Sequence, residues 1–307
     1  MQPIINYIKY PSRFFLGIIK KTGFLYSDRV YLKLYYFFEM GKSLNIRNPK
    51  TFNEKLQWLK IYNRRPEYTK MVDKYAVKDY VASIIGTEYI IPTLGVWDKP
   101  EDIEWDKLPN QFVLKTTHGG GGMGIVICRD KSCFNFQEAI NKLNGSLKFD
   151  IYRLFREWPY KNVQKRILAE TYITDSSGEL KDYKFFCFSG EVKIFKVDFN
   201  RFEKHQANYY DRKFNLLPFG EVSCPPDPEK KINLPYSINE MIRLAERLAV
   251  GNPFMRVDFY DSNGKVYFGE ITFFPAGGMG KFEPENWDKV LGDMINLESF
   301  RNSTVKH

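Results

Sequence analysis

Two carboxylates lie inside otherwise apolar segments in the last quarter of the chain. Asp258 occurs in residues 255–260, whose pattern predicts a strand, and Glu270 occurs in a second strand-like run, residues 266–272. Burying an unpaired carboxylate is costly, so each one requires a compensating positive charge. A magnesium ion could compensate both, because Mg²⁺ prefers oxygen ligands and completes its shell with nucleotide phosphates. Ordinary ion pairs, for example of Asp258 with Arg256, are the alternative, and the hairpin alone favours neither.

The turn between the two strands decides whether the carboxylates can share an ion. A two-residue loop at 263–264 would leave Asp258 and Glu270 on opposite faces of the hairpin. A three-residue loop at 262–264, with Gly264 left-handed in a bulge, would put both on one face. They would then be diagonal neighbours about 7–8 Å apart at Cα. A shared metal site therefore predicts the three-residue loop.

A glycine-rich segment stands between two other strand-like runs, 112–115 and 125–128. Five of the six positions 119–124 are glycine, which lets backbone N–H groups approach a phosphate closely. The string matches the dinucleotide fingerprint, but that motif requires a helix where the β-branched run 125–128 follows. No Gly-Lys-Ser/Thr ends it as in a Walker loop, and the matching kinase string lacks the H-R-D and D-F-G motifs. The segment predicts a glycine flap after Lys115, and a mobile surface tip is the alternative.

Patterns elsewhere predict an α+β chain with antiparallel hairpins. Residues 1–50 have helical and basic character, and Thr51 with Glu54 forms a capping box that begins a helix through Ile61. Further helices are predicted at 68–85, at 135–144 with Gly145 as its end, and from a second capping box, Ser237 and Glu240, to Gly251. Strands are predicted at 89–91, 112–115, 125–128, 166–173, 183–188, 192–199, 254–260 and 266–273.

Composition and charge limit the location and the partners. The 307 residues carry a formal net charge of +9, which favours anionic partners without identifying them. No run reaches the roughly 18 apolar residues of a membrane span, and no cleavable signal peptide is recognised. With four cysteines and no Cys-x-x-Cys pair, a cytoplasmic location is expected. Basic and aromatic residues are interspersed in residues 7–36, which fits either a helical pair packed on the body or peripheral contact with the inner face of the plasma membrane.

Several short motifs resemble the ATP-grasp superfamily, and more closely its TupA-like branch, found in bacterial surface-polysaccharide gene sets. The resemblance covers roughly residues 40–290 and rests on 48–55 (NPKTFNEK), 73–75 (DKY), 115–124, 169–173 (AETYI), 182–185 (DYKF) and 268–272 (FGEIT). It implies an α+β ATP-grasp fold in which two α+β subdomains grip ATP. The implied segments are a helical basic N-terminal region (1–50), a pre-ATP-grasp segment (51–100), a glycine-flap subdomain (101–168) and a C-terminal ATP-grasp subdomain with the metal hairpin (169–307).

The resemblance implies which residues bind ATP. Lys74 and Lys115 would reach the phosphates, and the flap would close over them with His118, Gly119, Gly120, Gly121, Gly122 and Gly124. The hinge strand whose backbone contacts adenine would be Glu170, Thr171, Tyr172 and Ile173. Asp182 or Lys184 would lie near the ribose or the phosphates.

The resemblance also implies catalytic and metal-binding residues. Lys184 and Arg201 would act in catalysis, and Arg201 could hold an anionic acyl phosphate. Asp258, Glu270 and Thr272 would bind Mg²⁺. Thr272 stands where many members of the superfamily have Asn, so a second metal position is less secure.

Such a site implies an ATP-dependent carboxylate–amine ligase with ATP and Mg²⁺ as cofactors. A carboxylate would attack the γ-phosphate, and an amine would then attack the acyl phosphate to leave an amide. The resemblance suggests that the carboxylate is a uronic acid of a small-molecule or lipid-linked saccharide, and that the second partner is an amino acid or amine. No nucleic-acid partner is expected. The alternatives are a sugar phosphotransferase, a glycosyltransferase, whose Asp-x-Asp motif is absent, and a non-catalytic nucleotide-binding protein.

Overall fold

The computed structural model describes residues 11–176, 178, 180–200 and 204–298. The helices in these ranges are α1 (Pro11–Thr22), α2 (Asp28–Met40), α3 (Phe52–Tyr62), α4 (Glu67–Val72), α5 (Ala76–Ile85), α6 (Phe136–Leu147), α7 (Ile151–Phe155), α8 (Ile238–Ala249) and α9 (Trp287–Met294). The strands are β1 (Thr93–Trp97), β2 (Phe112–Thr116), β3 (Ile125–Cys128), β4 (Ile167–Thr171), β5 (Asp182–Phe188), β6 (Glu191–Phe199), β7 (Gln206–Asp211), β8 (Gly220–Glu221), β9 (Phe254–Ser262), β10 (Lys265–Thr272) and β11 (Phe282–Glu283). None of the described helices is long and apolar enough to cross a membrane.

The strands form two main sheets and confirm the predicted α+β class. The first sheet has the order β1-β4-β2-β3 and the second has the order β10-β9-β5-β6-β7. Every neighbouring pair in both sheets is antiparallel, and β8 with β11 makes a small third pair. The first sheet uses strands from residues 93–171, and the chain reaches the second sheet through residues 172–181. The division of the chain into four segments remains a prediction.

Each main sheet has its own apolar core. In the first, Ala139 and Leu143 of α6 are buried in one cluster with Phe112 and Leu114 of β2. In the second, α8 buries apolar residues that recur at helical spacing, which is the face the sequence predicts. Side chains alternate along β5, so Asp182 and Lys184 lie on one face of the second sheet, and Tyr183 and Phe185 lie on the other. The charged face is therefore the one available for a site.

The two predicted capping boxes had different outcomes. The hydroxyl of Thr51 accepts a hydrogen bond from the backbone of Glu54, and the Glu54 carboxylate accepts one from Thr51, so the capping box of α3 is confirmed. Ser237 makes no capping bond, and its hydroxyl contacts Asp261 Oδ2 at 2.5 Å, so the second capping box is wrong. Gly251 follows α8 with a φ of 76°, as expected of a residue that ends a helix.

Three predicted elements differ in extent. The helix predicted over 68–85 is interrupted, because Asp73 Oδ1 accepts hydrogen bonds from the backbone of Tyr75 (2.9 Å) and Ala76 (3.1 Å) and so separates α4 from α5. α6 continues beyond Gly145, which has open space around it. The strand predicted at 89–91 is wrong, since Tyr89 belongs to a 3₁₀ turn and the first strand begins at Thr93.

The register of the β9–β10 hairpin corrects the predicted loop. The connection is the two-residue loop 263–264, with both residues at positive φ (55° and 88°), so the three-residue loop is wrong. A bulge at Gly269 shifts the pairing instead and places Glu270 directly opposite Asp258. The two carboxylates therefore share a face, as a shared ion requires, although the extra residue lies at Gly269 and not at Gly264.

Candidate active site

A narrow cleft lies between the two main sheets, with a cavity volume of about 40 Å³. The first sheet contributes Lys115, Ile125 and Glu170, the second contributes Tyr260, Phe268, Gly269 and Glu270, and the stretch from α5 and its flanks contributes Lys74, Lys78, Ile90 and Ile91. Three residues predicted to bind ATP (Lys74, Lys115 and Glu170) thus meet one predicted metal ligand, Glu270. These predicted residues come from four distant parts of the sequence.

Glu170 is buried between two lysines of this cleft. Its Oε2 lies 2.7 Å from Lys115 Nζ, and its Oε1 lies 2.6 Å from Lys78 Nζ. Burial alone would raise the pKa of Glu170, but the two ammonium groups outweigh burial and hold that pKa below its usual value. Lys78 is absent from the predicted site. Its place four residues after Lys74, within the helix predicted over 68–85, is the signal that could have indicated it.

Arg256 joins the three predicted metal ligands. Its Nη2 lies 2.7 Å from Asp258 Oδ2, 2.8 Å from Glu270 Oε1 and 3.0 Å from Thr272 Oγ1, and Lys74 Nζ contacts Glu270 Oε2 at 3.0 Å. Burial raises the pKa of Asp258, whereas Lys74 and Arg256 outweigh burial at Glu270 and lower its pKa. The ion pair of Asp258 with Arg256 therefore exists beside the geometry required for metal binding. Arg256 itself is missing from the predicted site, although strand alternation from Asp258 points to it.

Lys184 lies within an acidic group on the second sheet. Its Nζ lies 2.8 Å from Asp258 Oδ2, contacts Asp182, and lies 3.7 Å from Asp198 Oδ2. Burial would lower the pKa of Lys184, but the carboxylates outweigh it and raise the pKa, so the side chain keeps its charge. The predicted residues Asp182 and Lys184 therefore adjoin the hairpin carboxylates.

The glycine flap is packed at its base and open at its tip. A Cβ on Gly124 would lie 2.3 Å from Ser146 Oγ, so no other residue fits there without rearrangement. Gly121 and Gly122 have φ of 60° and 79°, with open space where a side chain would be. His118 is buried at the base, where its Nε2 lies 3.1 Å from the Ser146 carbonyl oxygen and burial lowers its pKa. The tip is the part that is free to contact a ligand.

We expect hydrogen exchange of the flap, residues 116–123, to slow when ATP and Mg²⁺ are added. Successive glycines have high chain entropy, and phosphate oxygens would accept hydrogen bonds from their N–H groups. Exchange mass spectrometry would measure the change, with the strand residues 125–128 as the internal control. An unchanged rate at the tip would favour the alternative of a surface loop without a ligand.

The sequence also matches a family profile. The profile of the TupA-like ATPgrasp family matches residues 54–296 of the 307. The chain belongs to the TupA-like ATP-grasp family. The resemblance noted from the motifs is thereby confirmed, and the protein is an ATP-grasp enzyme whose reaction class is ATP-dependent carboxylate–amine ligation. No curated protein sequence matches the chain.

The chain is also similar to solved structures, among them the following three. A D-alanine–D-alanine ligase from Helicobacter pylori is 14% identical, with a TM-score of 0.45, over 81% of this chain and 69% of that one. A D-alanine–D-alanine ligase from Bacillus anthracis, complexed with ATP, is 16% identical, with a TM-score of 0.44, over 77% and 67%. A RimK domain ATP-grasp protein from Sphaerobacter thermophilus is 12% identical, with a TM-score of 0.40, over 76% and 70%.

The structure describes all but one of the remaining residues predicted for this TupA-like enzyme. Thr171 ends β4, and Tyr172 and Ile173 begin the connection between the two sheets, as expected of a hinge. In the flap, Gly119 is as closely packed as Gly124, since a Cβ there would lie 2.6 Å from the Met123 carbonyl oxygen, and Gly120 faces Ile151. Arg201 lies outside the described residues. The roles of the individual residues remain predictions.

The β9–β10 hairpin has the donor set that a magnesium ion requires. Asp258 and Glu270 lie opposite each other, and Thr272 Oγ1 lies 3.2 Å from Glu270 Oε1, so three oxygen-bearing side chains share one face. The side chain of Glu270 is 35% exposed, whereas that of Asp258 is 1% exposed. An ion could therefore enter from the side of Glu270. These residues fit Mg²⁺, with Arg256 as the group that now neutralises them.

Proposed function

We propose that this TupA-like ligase joins an amine, such as an amino acid, to a uronic acid of a surface polysaccharide, either free or lipid-linked. The observation that carries the proposal is a lysine-lined cleft that meets the carboxylate pair of the β9–β10 hairpin. Lysines bind phosphate oxygens, and paired carboxylates bind Mg²⁺. The uronic acid is supported by the resemblance to a branch found in surface-polysaccharide gene sets.

The cleft offers separate surfaces for the two ends of ATP. Lys74 and Lys115 would bind the phosphates, together with backbone N–H groups of the flap. The apolar side chains of the cleft would cover the base, namely Ile90, Ile91, Ile125, Tyr260 and Phe268. When Lys115 turns to a phosphate, Glu170 keeps Lys78 as its partner at 2.6 Å, so its charge does not become unpaired.

The proposed reaction has two steps. A carboxylate oxygen of the uronic acid attacks the γ-phosphorus, the bond to the β-phosphate oxygen breaks, and ADP leaves. The amine nitrogen then attacks the acyl carbon and loses a proton, and inorganic phosphate leaves with the electron pair of the broken C–O bond. Arg256 and Lys184, which both contact Asp258, would supply positive charge to the transferring group. Bound Mg²⁺ would add charge neutralisation at the phosphate oxygens.

The experiment that tests this proposal measures ADP release with panels of uronic acids and amines. A ligase requires one member of each panel, and mass spectrometry should identify the amide product. ADP release with a saccharide alone and a phosphorylated product would indicate a phosphotransferase instead. Transfer of a sugar without ATP would indicate a glycosyltransferase. The absence of ADP release with every pair would contradict the proposed substrates.

Lys115→Ala should weaken ATP binding by roughly 1–3 kcal/mol, the contribution of a hydrogen bond from a charged group. Isothermal titration calorimetry with ATP and Mg²⁺ would measure the loss. Lys107→Ala is the matched control, because Lys107 is an exposed lysine of the same subdomain, paired only with Glu104 among the described residues. If the Lys115 variant kept its affinity, the nucleotide site would have to lie elsewhere.

A further inference from the structure

Glu157 is a buried carboxylate without a partner among the residues that the structure describes. It is 8% exposed, and its side chain makes no hydrogen bond or ion pair within those residues. A buried carboxylate lowers the stability of the fold unless a positive charge or a hydrogen-bond donor contacts it. Burial raises the pKa of Glu157 to about 7, although the nearby Lys60 acts in the opposite direction. The fold therefore keeps a polar group here at the expense of stability.

A left-handed backbone conformation precedes Glu157. Arg156 precedes it with a φ of 55°, a left-handed conformation that non-glycine residues rarely adopt. The guanidinium of Arg156 turns to the N-terminal helices, where it lies 2.5 Å from the Gly23 carbonyl oxygen and 3.1 Å from Asp28 Oδ1. Glu157 points elsewhere, and its Oε1 lies 3.7 Å from the position that a Cβ on Gly277 would occupy. The left-handed conformation at Arg156 thus points the side chains of Arg156 and Glu157 in different directions.

The loop that Glu157 meets is held rigidly by helix α3. Residues 276–278 are all left-handed, with φ of 49°, 62° and 64°. Gln57 Nε2 donates to the carbonyl of Gly278 at 2.6 Å, Lys60 Nζ donates to that of Gly277 at 2.6 Å, and Asn53 Nδ2 donates to that of Gly280 at 2.7 Å. These three donors share one face of α3 and are buried. The loop begins three residues after β10, the strand that contains Glu270 and Thr272, and is fixed beside it.

Glu157 also lies near the hairpin carboxylates. The loop that Glu157 meets at Gly277 begins three residues after Thr272, where β10 ends. In addition, burial raises the pKa of Tyr160, and the negative charges of Glu157 and Glu270 raise it further. The other charged residues that line the ATP side are mostly cations, and cations repel an ammonium group. Glu157 instead supplies a negative charge and a hydrogen-bond acceptor, with Lys60 as a nearby cation that donates to the Gly277 carbonyl oxygen.

We propose that Glu157 and the loop 275–280 form the subsite that binds the ammonium group of the amine substrate. An ammonium group brings three donors and one positive charge, which is what a buried carboxylate beside fixed backbone lacks. The subsite would hold the amine beside the loop that follows β10. This inference rests on the proposed ligase function and specifies how its second substrate is recognised.

The test uses the uronic acid and amine selected by the ADP-release panels. Glu157→Gln should raise the KM for the amine about 10- to 100-fold, the effect of losing a charge-assisted hydrogen bond, and should leave the KM values for ATP and the uronic acid unchanged. Hydroxylamine, which is uncharged near neutral pH, should trap the acyl phosphate as hydroxamate equally well in both proteins. Glu191→Gln, at an exposed position on β6, is the matched control and should change none of these values.

The outcomes separate this inference from the proposed function. An unchanged KM for the amine, or an equal loss of hydroxamate formation, would overturn the subsite while the ligase function stands. A wild-type protein without amine-dependent turnover would overturn both. Glu157→Asp keeps the charge one methylene further back, so we expect an intermediate KM for the amine. That variant keeps the inference testable if Glu157→Gln does not fold.

A second and independent observation concerns the two N-terminal helices. Seven apolar side chains of residues 14–37 are more than two-fifths exposed, namely Phe14, Phe15, Ile18, Phe24, Leu25, Val30 and Phe37. Phe15 of α1 stacks on Phe38 of α2 at 5.0 Å, and Phe38 contacts Phe37 at 5.3 Å, so the surfaces of the two helices are continuous. We call these seven residues the N-terminal apolar surface.

The charge around the N-terminal apolar surface is positive. Residues 11–40 contain five basic residues and two acidic ones, a difference of +3. One of the acidic residues, Asp28, is turned inward and pairs with Arg64 at 2.6 Å and with Arg156. The exposed basic residues beside the apolar side chains are Arg13 and Lys21 on α1 and Arg29 and Lys33 on α2.

We propose that the N-terminal apolar surface binds an anionic phospholipid bilayer. Aromatic and aliphatic side chains at the tip of the helical pair, Phe24 (74% exposed) and Leu25 (67% exposed), would enter the interface between head groups and acyl chains. The flanking lysines and arginines would contact anionic head groups. The apolar exposure and the positive charge together favour this partner over a neutral surface.

Vesicle co-sedimentation would test this proposal. The protein should bind vesicles of equal parts phosphatidylcholine and phosphatidylglycerol, and should bind phosphatidylcholine vesicles much less. The double variant Phe24→Ser and Leu25→Ser should lower the bound fraction at least about tenfold, given the apolar area removed. The control is Val222→Ser with Val250→Ser, which removes comparably exposed apolar side chains elsewhere. Absence of binding to anionic vesicles, an equal loss in the control, or dimerisation that depends on Phe24 without lipid would overturn it.

Discussion

Glu270→Gln should lower turnover by about 10³-fold and leave the protein folded. Glutamine keeps the shape of the side chain but loses the charge that would hold Mg²⁺ opposite Asp258, and loss of one strong electrostatic contact in a site costs about 10²–10³ in rate. The side chain of Glu270 is 35% exposed, so water can solvate the new amide, and Arg256 keeps Asp258 as its partner at 2.7 Å. Steady-state ADP release and thermal unfolding would measure the two effects.

The control for Glu270→Gln is the same substitution at Glu246. Glu246 pairs with Arg212 on the outer surface of α8, away from the cleft. We expect normal turnover in this control. A Glu270 variant that kept its turnover but unfolded at much lower temperature would show that Glu270 is a structural ion-pair partner, and the magnesium assignment would fail.

Glu170→Gln should reduce the free energy of unfolding by about 3–5 kcal/mol, the range observed when one partner of a buried ion pair is removed. Glu170 contacts Lys115 at 2.7 Å and Lys78 at 2.6 Å, so its loss leaves two buried ammonium groups without their carboxylate. The denaturant midpoint at constant slope would report the loss. ATP binding should weaken as well, because Lys115 loses the group that positions it.

A double-mutant cycle measures how much of the stability lost in Glu170→Gln depends on Lys78. Lys78→Met should lessen the destabilisation caused by Glu170→Gln, because fewer unpaired charges then remain buried. The exposed Glu191, substituted in the same way, should show no change in stability. The effects of Glu170→Gln and Lys78→Met could instead be additive, or the Glu170 variant could be as stable as the wild type. Either result would mean that solvent reaches Glu170 and Lys78 and would contradict their burial in the cleft.

The sequence alone determined the features that depend on neighbouring residues. The capping box of Thr51 and Glu54 is a contact across three positions, and the apolar face of α8 is a local period. The glycines of residues 119–124 predict a flap, because backbone freedom belongs to glycine wherever it stands. The order of short motifs was sufficient for the family, and with it for the ATP-grasp fold and the reaction class.

Only the tertiary structure decided which charged groups meet. Lys74 contacts Glu270 across 196 positions of sequence, and a charge pattern specifies the sign of a partner but not its identity. The bulge at Gly269 decided that Asp258 and Glu270 lie on the same face of the hairpin. A Cβ at Gly269 would lie 3.0 Å from the Asp258 carbonyl oxygen and 3.1 Å from the Tyr260 ring. Counting residues in the loop could not find that bulge, because the close approach that requires glycine comes from the opposite strand. Glu157 escaped prediction for the same reason: its burial and its lack of a partner exist only once α3, α7 and the loop after β10 have packed together.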